Sequence, residues 1–158
     1  MKLAAISFCA FAVALASATP SAASTGRLTA VQAKVPAGAS TLPDGIRSVV
    51  LRAPAGSVAH PSVDDDVIVV AHGWFADGKP IDSPDLAGRP YTYHLRHLIR
   101  GWQIALVRMS PGERVRFWMP ARATTSREHG NPGGAMIFDI HLLSFHSHHG
   151  PEQRPGIH

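Results

Sequence analysis

Few residues in this chain have types and spacings that could do chemistry. The stretch LIRGW, 98–102, sets an arginine and a glycine between two aliphatics and a tryptophan, at what reads as the start of a helix. With only three tryptophans in 158 residues, Trp102 serves either as a core plug or as the floor of a site. Histidine forms the second concentration: there are ten, and His146, His148 and His149 make the run HSHH. A flexible histidine cluster can hold a divalent transition metal. This run lacks the spaced ligand set of a structural zinc site, and a solvated tail is the simpler account. His60, His94, His97, His129 and His141 share no spacing. The one cysteine, Cys9, lies in an apolar amino-terminal run, so the mature chain is expected to hold neither a disulfide nor a thiolate site.

The elements that must position Trp102 follow from periodicity. Ile46 to Arg52 and Val67 to Phe75 have the β-branched and aromatic content of strands, and Asp77-Gly78 marks a tight turn. Residues 82–90 read as a loop. Tyr91, Tyr93 and Leu95 alternate with polar neighbours, as in a half-buried strand. At Trp102 the period changes: Trp102, Ala105, Leu106 and Met109 fall at helical spacing until Ser110-Pro111-Gly112 stops the helix. Glu113 to Met119 alternates again, with Val115, Phe117 and Met119 on one face and Arg114, Arg116 and Trp118 on the other. Residues 120–134 form a loop. Ala135 to Phe145 is the last strand, with Met136, Phe138, Ile140 and Leu142 on one face and Asp139 and His141 opposite. The sum is an α+β fold, a twisted antiparallel sheet wrapped around one short helix.

Residues 1–23 have a secretory signal's pattern: Lys2, an apolar run from Leu3 to Ala16, and small residues suiting cleavage after Ala18 or Ala23. The destination expected is the periplasm or the exterior, with no membrane span in the mature chain. Residues 24–44, rich in Ala, Ser, Thr, Pro and Gly, read as a flexible leader, and 146–158 as a His-rich tail. The net charge of +4 is mild and the arginines are scattered, so no nucleic-acid partner is expected. A monomer is expected.

The stretches GWFADGKPIDS (73–83), GRPYTYHL (88–95), LIRGWQIALVRMSPGERVRFWMP (98–120) and AMIFDIHLL (135–143) together resemble the FKBP-type peptidyl-prolyl cis-trans isomerases, in that family's order and near its spacing. The resemblance covers Gly45 to Phe145 and implies an isomerase domain over 45–145, of the compact, exported bacterial form. It implies rotation about X-Pro bonds in proline-containing peptides and unfolded exported proteins. The barrier is about 18–20 kcal/mol because twisting destroys amide resonance. No nucleophile, metal or cofactor is required.

The resemblance also assigns residues. Trp102 matches the pocket floor, Ile99 the residue whose backbone N–H holds a substrate carbonyl, and Asp82 the aspartate at the site's edge. Leu98 and Phe138 line the pocket, Tyr91 stands where the family usually has Phe, and Ile81 where it usually has an aromatic. The residues alone also allow Asp82 to cap a turn before Ser83 and Pro84. Ala71 stands where the family commonly has tyrosine, and Thr125 is the nearest match to a second tyrosine in the PARATTS loop. These substitutions predict a wider, wetter pocket and weak activity. A catalytically impaired chaperone or peptide-binding module is the alternative, and a metal-binding tail a third class. His72, beside Ala71, is a further candidate to face the altered pocket.

Overall fold

A computed structural model describes residues 26–147 apart from 55, 57 and 126–133. The signal segment, His129, His148 and His149 therefore lie outside the described residues.

Six strands form one antiparallel sheet: β1 (Ser40–Thr41), β2 (Arg47–Arg52), β3 (Asp66–Phe75), β4 (Ala87–His94), β5 (Arg114–Met119) and β6 (Met136–His146), in the order β1-β2-β5-β6-β3-β4. β6 lies between β5 and β3, with Phe138 opposite Phe117 on one side and Gly73 on the other. This puts the longest apolar strand at the centre, where both its edges are hydrogen-bonded. The helix over Arg100–Leu106 (α2 below) buries Gly101, Trp102, Ala105 and Leu106. These residues stack on Val67, Val69, Ala71, Val115, Phe117, Phe138, Ile140 and Leu142, every second residue of β3, β5 and β6. Alternation thus fixes which face receives the helix, and a one-residue slip would turn the charged set inward.

Three expectations need correction. Residues 26–44 are not a flexible leader. Thr29 and Gln32 close a capping box over a short helix, α1 (Ala30–Ala33), and β1 pairs with β2. Leu28 of the same segment is buried with Trp74, Trp118 and Ile137 in a second, smaller core on the sheet's outer face. The amino-terminal segment is therefore held because it covers two tryptophans that would otherwise meet water. The tail boundary also moves, since His146 is the last residue of β6, paired with Asp66. Residues 84–86, read as loop, form a 3-10 turn, and β4 begins at Ala87 rather than at Tyr91.

Candidate functional site

Trp102 sits in the first turn of α2 (Arg100–Leu106), 4% exposed. Two aromatic edges hold it: Phe138 of β6 with ring centres 5.4 Å apart at 83°, and Tyr93 of β4 at 5.6 Å and 77°. Both are edge-to-face contacts, the geometry that ring quadrupoles favour. The glycine before Trp102 has a packing reason. A Cβ at Gly101 would lie 2.5 Å from Met119 Sδ and 2.8 Å from the Ala123 carbonyl oxygen, so only glycine lets the helix start this close to the turn after β5. The Trp102 indole N–H is buried and has no hydrogen-bond partner among the described residues.

The entry to the helix is set by Leu98 and Ile99, both half-buried against the core. Gln103 donates through Nε2 to the carbonyls of Leu98 at 2.8 Å and Arg96 at 2.9 Å, which fixes this approach. The Ile99 carbonyl accepts from Trp102 N–H, and Arg100 N–H donates to the Thr125 carbonyl. The Ile99 N–H donates no hydrogen bond among the described residues. It is one of the donors that a helix start leaves over.

Tyr93, read from sequence only as a strand residue, is the β4 aromatic that reaches Trp102. Its hydroxyl donates to Asp85 at 2.6 Å, and Ser83 donates to the same carboxylate. Burial first, and the Asp85 carboxylate second, push the Tyr93 phenol well above its ordinary value. Burial opposes ionisation of Asp85, but the hydrogen bonds from Ser83, Tyr93 and the backbone N–H groups of Asp85 and Leu86 together outweigh it and hold this acid below the usual range. The signal for this pair was the second aspartate of DSPD and the two-residue spacing of Tyr91 and Tyr93, which shares a face.

Tyr91 stands further out, 50% exposed, with its ring 4.9 Å from that of Tyr93. Asp82 is exposed and makes no hydrogen bond among the described residues, neither to a side-chain donor nor as a turn cap. Ile81 packs half-buried against the core. Gly73 is bare for the same reason as Gly101: a Cβ there would lie 2.9 to 3.1 Å from Leu86, Phe138 and Ile81. Ala71 is fully buried opposite Ile140. Thr125 is exposed and its hydroxyl donates to the Arg122 carbonyl at 3.1 Å, while the buried Thr124 hydroxyl donates to Ala121 and Gly134 carbonyls. Both hydroxyls spend their proton on backbone carbonyls of the same turn region.

His72 does not face the space around Trp102. It points to the outer face, in line with Asp139, away from Trp102. Among the described residues no three His, Cys, Asp or Glu side chains are grouped to hold a metal ion. The residues around Trp102 thus bring together apolar walls, aromatic edges and one unspent backbone donor. Such a surface can bind an apolar ring flanked by a carbonyl, and it can stabilise a state less polar than the bound ground state.

The model of the family described as FKBP-type peptidyl-prolyl cis-trans isomerase matches residues 57–143. The chain is 36% identical over 112 residues to the peptidyl-prolyl cis-trans isomerase Mip of Coxiella burnetii, covering 68% of this chain and 47% of that protein. It is 36% identical over 111 residues to the outer membrane protein MIP of Legionella longbeachae, again covering 68% and 47%. The chain spans about half the length of these curated relatives. Among solved structures, a peptidyl-prolyl cis-trans isomerase of Pseudomonas syringae superposes with a TM-score of 0.59 at 27% identity, covering 73% of this chain and 86% of that one. FkpA of Escherichia coli superposes with a TM-score of 0.56 at 25% identity, covering 70% and 52%.

Proposed function

The chain belongs to the FKBP-type peptidyl-prolyl cis-trans isomerases, and from that premise we propose that its folded domain speeds rotation about X-Pro bonds. The observation that carries this reading is the pairing of a buried Trp102, braced by Phe138 and Tyr93, with the unspent Ile99 N–H at the same helix entry. A proline ring lies on Trp102, between Leu98, Ile81 and Phe138. The Ile99 N–H holds a carbonyl of the peptide, Tyr91 covers the rim and Asp82 stands at its edge. A planar amide is strongly dipolar; a twisted one has lost conjugation and much of that polarity. An apolar, aromatic-walled site therefore favours the twisted form over the planar one, which is differential binding of the transition state. Uncatalysed exchange takes about 10–100 s, so even modest stabilisation changes the rate of a proline-limited folding step.

Turnover is proposed to be weak. The motivation is Ala71, which gives the core only a methyl group, and Asp82, which has no side-chain donor to orient it among the described residues. The substrates proposed are exported, unfolded chains. The apolar amino-terminal run supports export, as does the likeness to a relative named an outer membrane protein. No helix among the described residues is long and apolar enough to cross a membrane.

The test is a protease-coupled isomerisation assay on X-Pro peptides. Acceleration above the uncatalysed rate, lowered about 10- to 100-fold in kcat/KM by Trp102→Leu, is the expected result, since the ring face that receives the proline is lost, an apolar contact of about 1.5–3 kcal/mol. No acceleration by the folded wild type contradicts the proposal, and turnover matching a strong member of the family contradicts its weakness.

A further inference from the structure

The outer face of the sheet carries a concavity that the proline site does not use. A cleft of about 340 Å3 opens over β3, β4, β5 and β6, with His72, Gly88, Arg114, Asp139 and His141 among its walls. Two rows of directly paired residues cross the sheet beneath it. In one, Arg116, Asp139 and His72 stand opposite one another in turn. In the next, Arg52, Arg114 and His141 do so.

The first row is electrostatically closed. Arg116 donates to both Asp139 oxygens, Nε at 2.6 Å and Nη2 at 2.8 Å, a bidentate pair around a carboxylate only 3% exposed. The second row is not closed. It sets two arginines and a histidine side by side with no acid of its own, and like charges directly opposite destabilise a sheet. Arg114 reaches Asp139 only at 3.4 Å, on an oxygen already engaged by Arg116, and is 38% exposed. Burial, and then the charges of Arg52 and Arg114, hold the His141 imidazole below its ordinary value, as a site short of negative charge requires.

A second observation comes from His72. It is 7% exposed and lines the cleft, and its Nδ1, closed off from solvent, has no hydrogen-bond partner among the described residues. Its ring is set by Gly88, whose φ of +75° admits few other residues, and whose added Cβ would lie 2.4 Å from the imidazole. A largely buried imidazole and an arginine without a full counter-charge line one concave space. We propose that this cleft binds an oxyanion, a carboxylate or phosphate group, with Arg114 as its charge partner and His72 and His141 beside it. A cation is disfavoured there by Arg52 and Arg114.

The test is an NMR titration of the wild-type chain with inorganic phosphate and, separately, with acetate, at an ionic strength held constant with sodium chloride. The expected result is saturable shifts of the His72 and His141 ring signals and of the Arg114 guanidinium, with Kd of about 1 mM or tighter for at least one anion. Which anion binds more tightly identifies the source. Arg114→Gln should weaken binding about tenfold or more, the loss expected for a charge-assisted hydrogen bond. Shifts that do not saturate, or that sodium chloride reproduces, overturn the proposal. So does a folded Arg114→Gln chain that binds as well as wild type. If that variant does not fold, the wild-type titration alone decides.

Discussion

The two faces of the sheet are built from the same strands but bury their residues by different means. Facing α2, alternate residues of β5 and β6 are apolar and make one continuous core. On the outer face the residues between them mix tryptophan with a buried ion pair. The tryptophans make the contrast sharpest. Trp74 Nε1 donates to the Gly26 carbonyl and Trp118 Nε1 to the Ala33 carbonyl, each at 2.9 Å. Trp102 is as deeply buried as Trp74, yet its N–H has no partner among the described residues. An unmade hydrogen bond at a buried donor costs about 1–3 kcal/mol. The outer tryptophans are thereby tied down as structure. Trp102 has no such tie among the described residues, and it lies beside the unspent Ile99 N–H.

The comparison can be broken first at the ion pair. Asp139→Ala leaves Arg116, 14% exposed, without its counter-charge and should cost about 3–5 kcal/mol in urea denaturation. Replacing both partners, Arg116→Met with Asp139→Leu, should recover most of that loss. A loss under about 1 kcal/mol for Asp139→Ala would mean that the pair is solvated in a way its burial does not suggest.

A smaller effect separates the tryptophans. Trp118→Phe removes the bond to Ala33 and should cost about 1 kcal/mol, with faster amide exchange over residues 28–33 and unchanged kcat/KM. Trp102→Phe breaks no hydrogen bond, so its effect should fall on kcat/KM. The reverse pattern would dissolve the distinction between the two faces.

The smallest effect is on pH dependence. Burial, with Arg114 beside it, holds His72 below the ordinary 6.5, and Asp139 only partly offsets this. The folded chain therefore takes up this proton at lower pH than the unfolded chain. The stabilisation is complete above 6.5 and is lost as pH falls from there through the folded value. The midpoint temperature in buffers free of carboxylate and phosphate should fall over that window, and His72→Phe should flatten the fall. A profile that the substitution leaves unaltered would show that His72 is not buried as described.

Much of this fold was legible because alternation and helical spacing are strong where one face is buried. The faces of β5 and β6, a helix carrying Trp102 and the turn at Asp77-Gly78 follow from residue type alone, although the helix begins at Arg100 and ends at Leu106. The amino-terminal segment was misread because small and polar residues suggest a loose chain. Its Thr29-x-x-Gln32 box was visible, but its anchoring depends on Trp74 and Trp118, which are distant in sequence. Tyr93 and Asp85 were missed for a similar reason. Their contact exists only once the 3-10 turn at Pro84–Leu86 folds back on β4. His72 was assigned to the wrong face because neighbouring residues on a strand point to opposite sides, so its adjacency to Ala71 argues against a shared pocket.

The most direct measurement is two-dimensional exchange NMR on a proline peptide with the labelled protein, reading both partners in one sample. Catalysis predicts cis–trans exchange cross-peaks that need the protein. On the protein side, peptide should shift the Trp102 indole and Ile99 amide signals and leave the Trp74 and Trp118 indoles in place. Exchange without any response at Trp102 and Ile99, or binding read only at the outer tryptophans, would contradict the placement of the site.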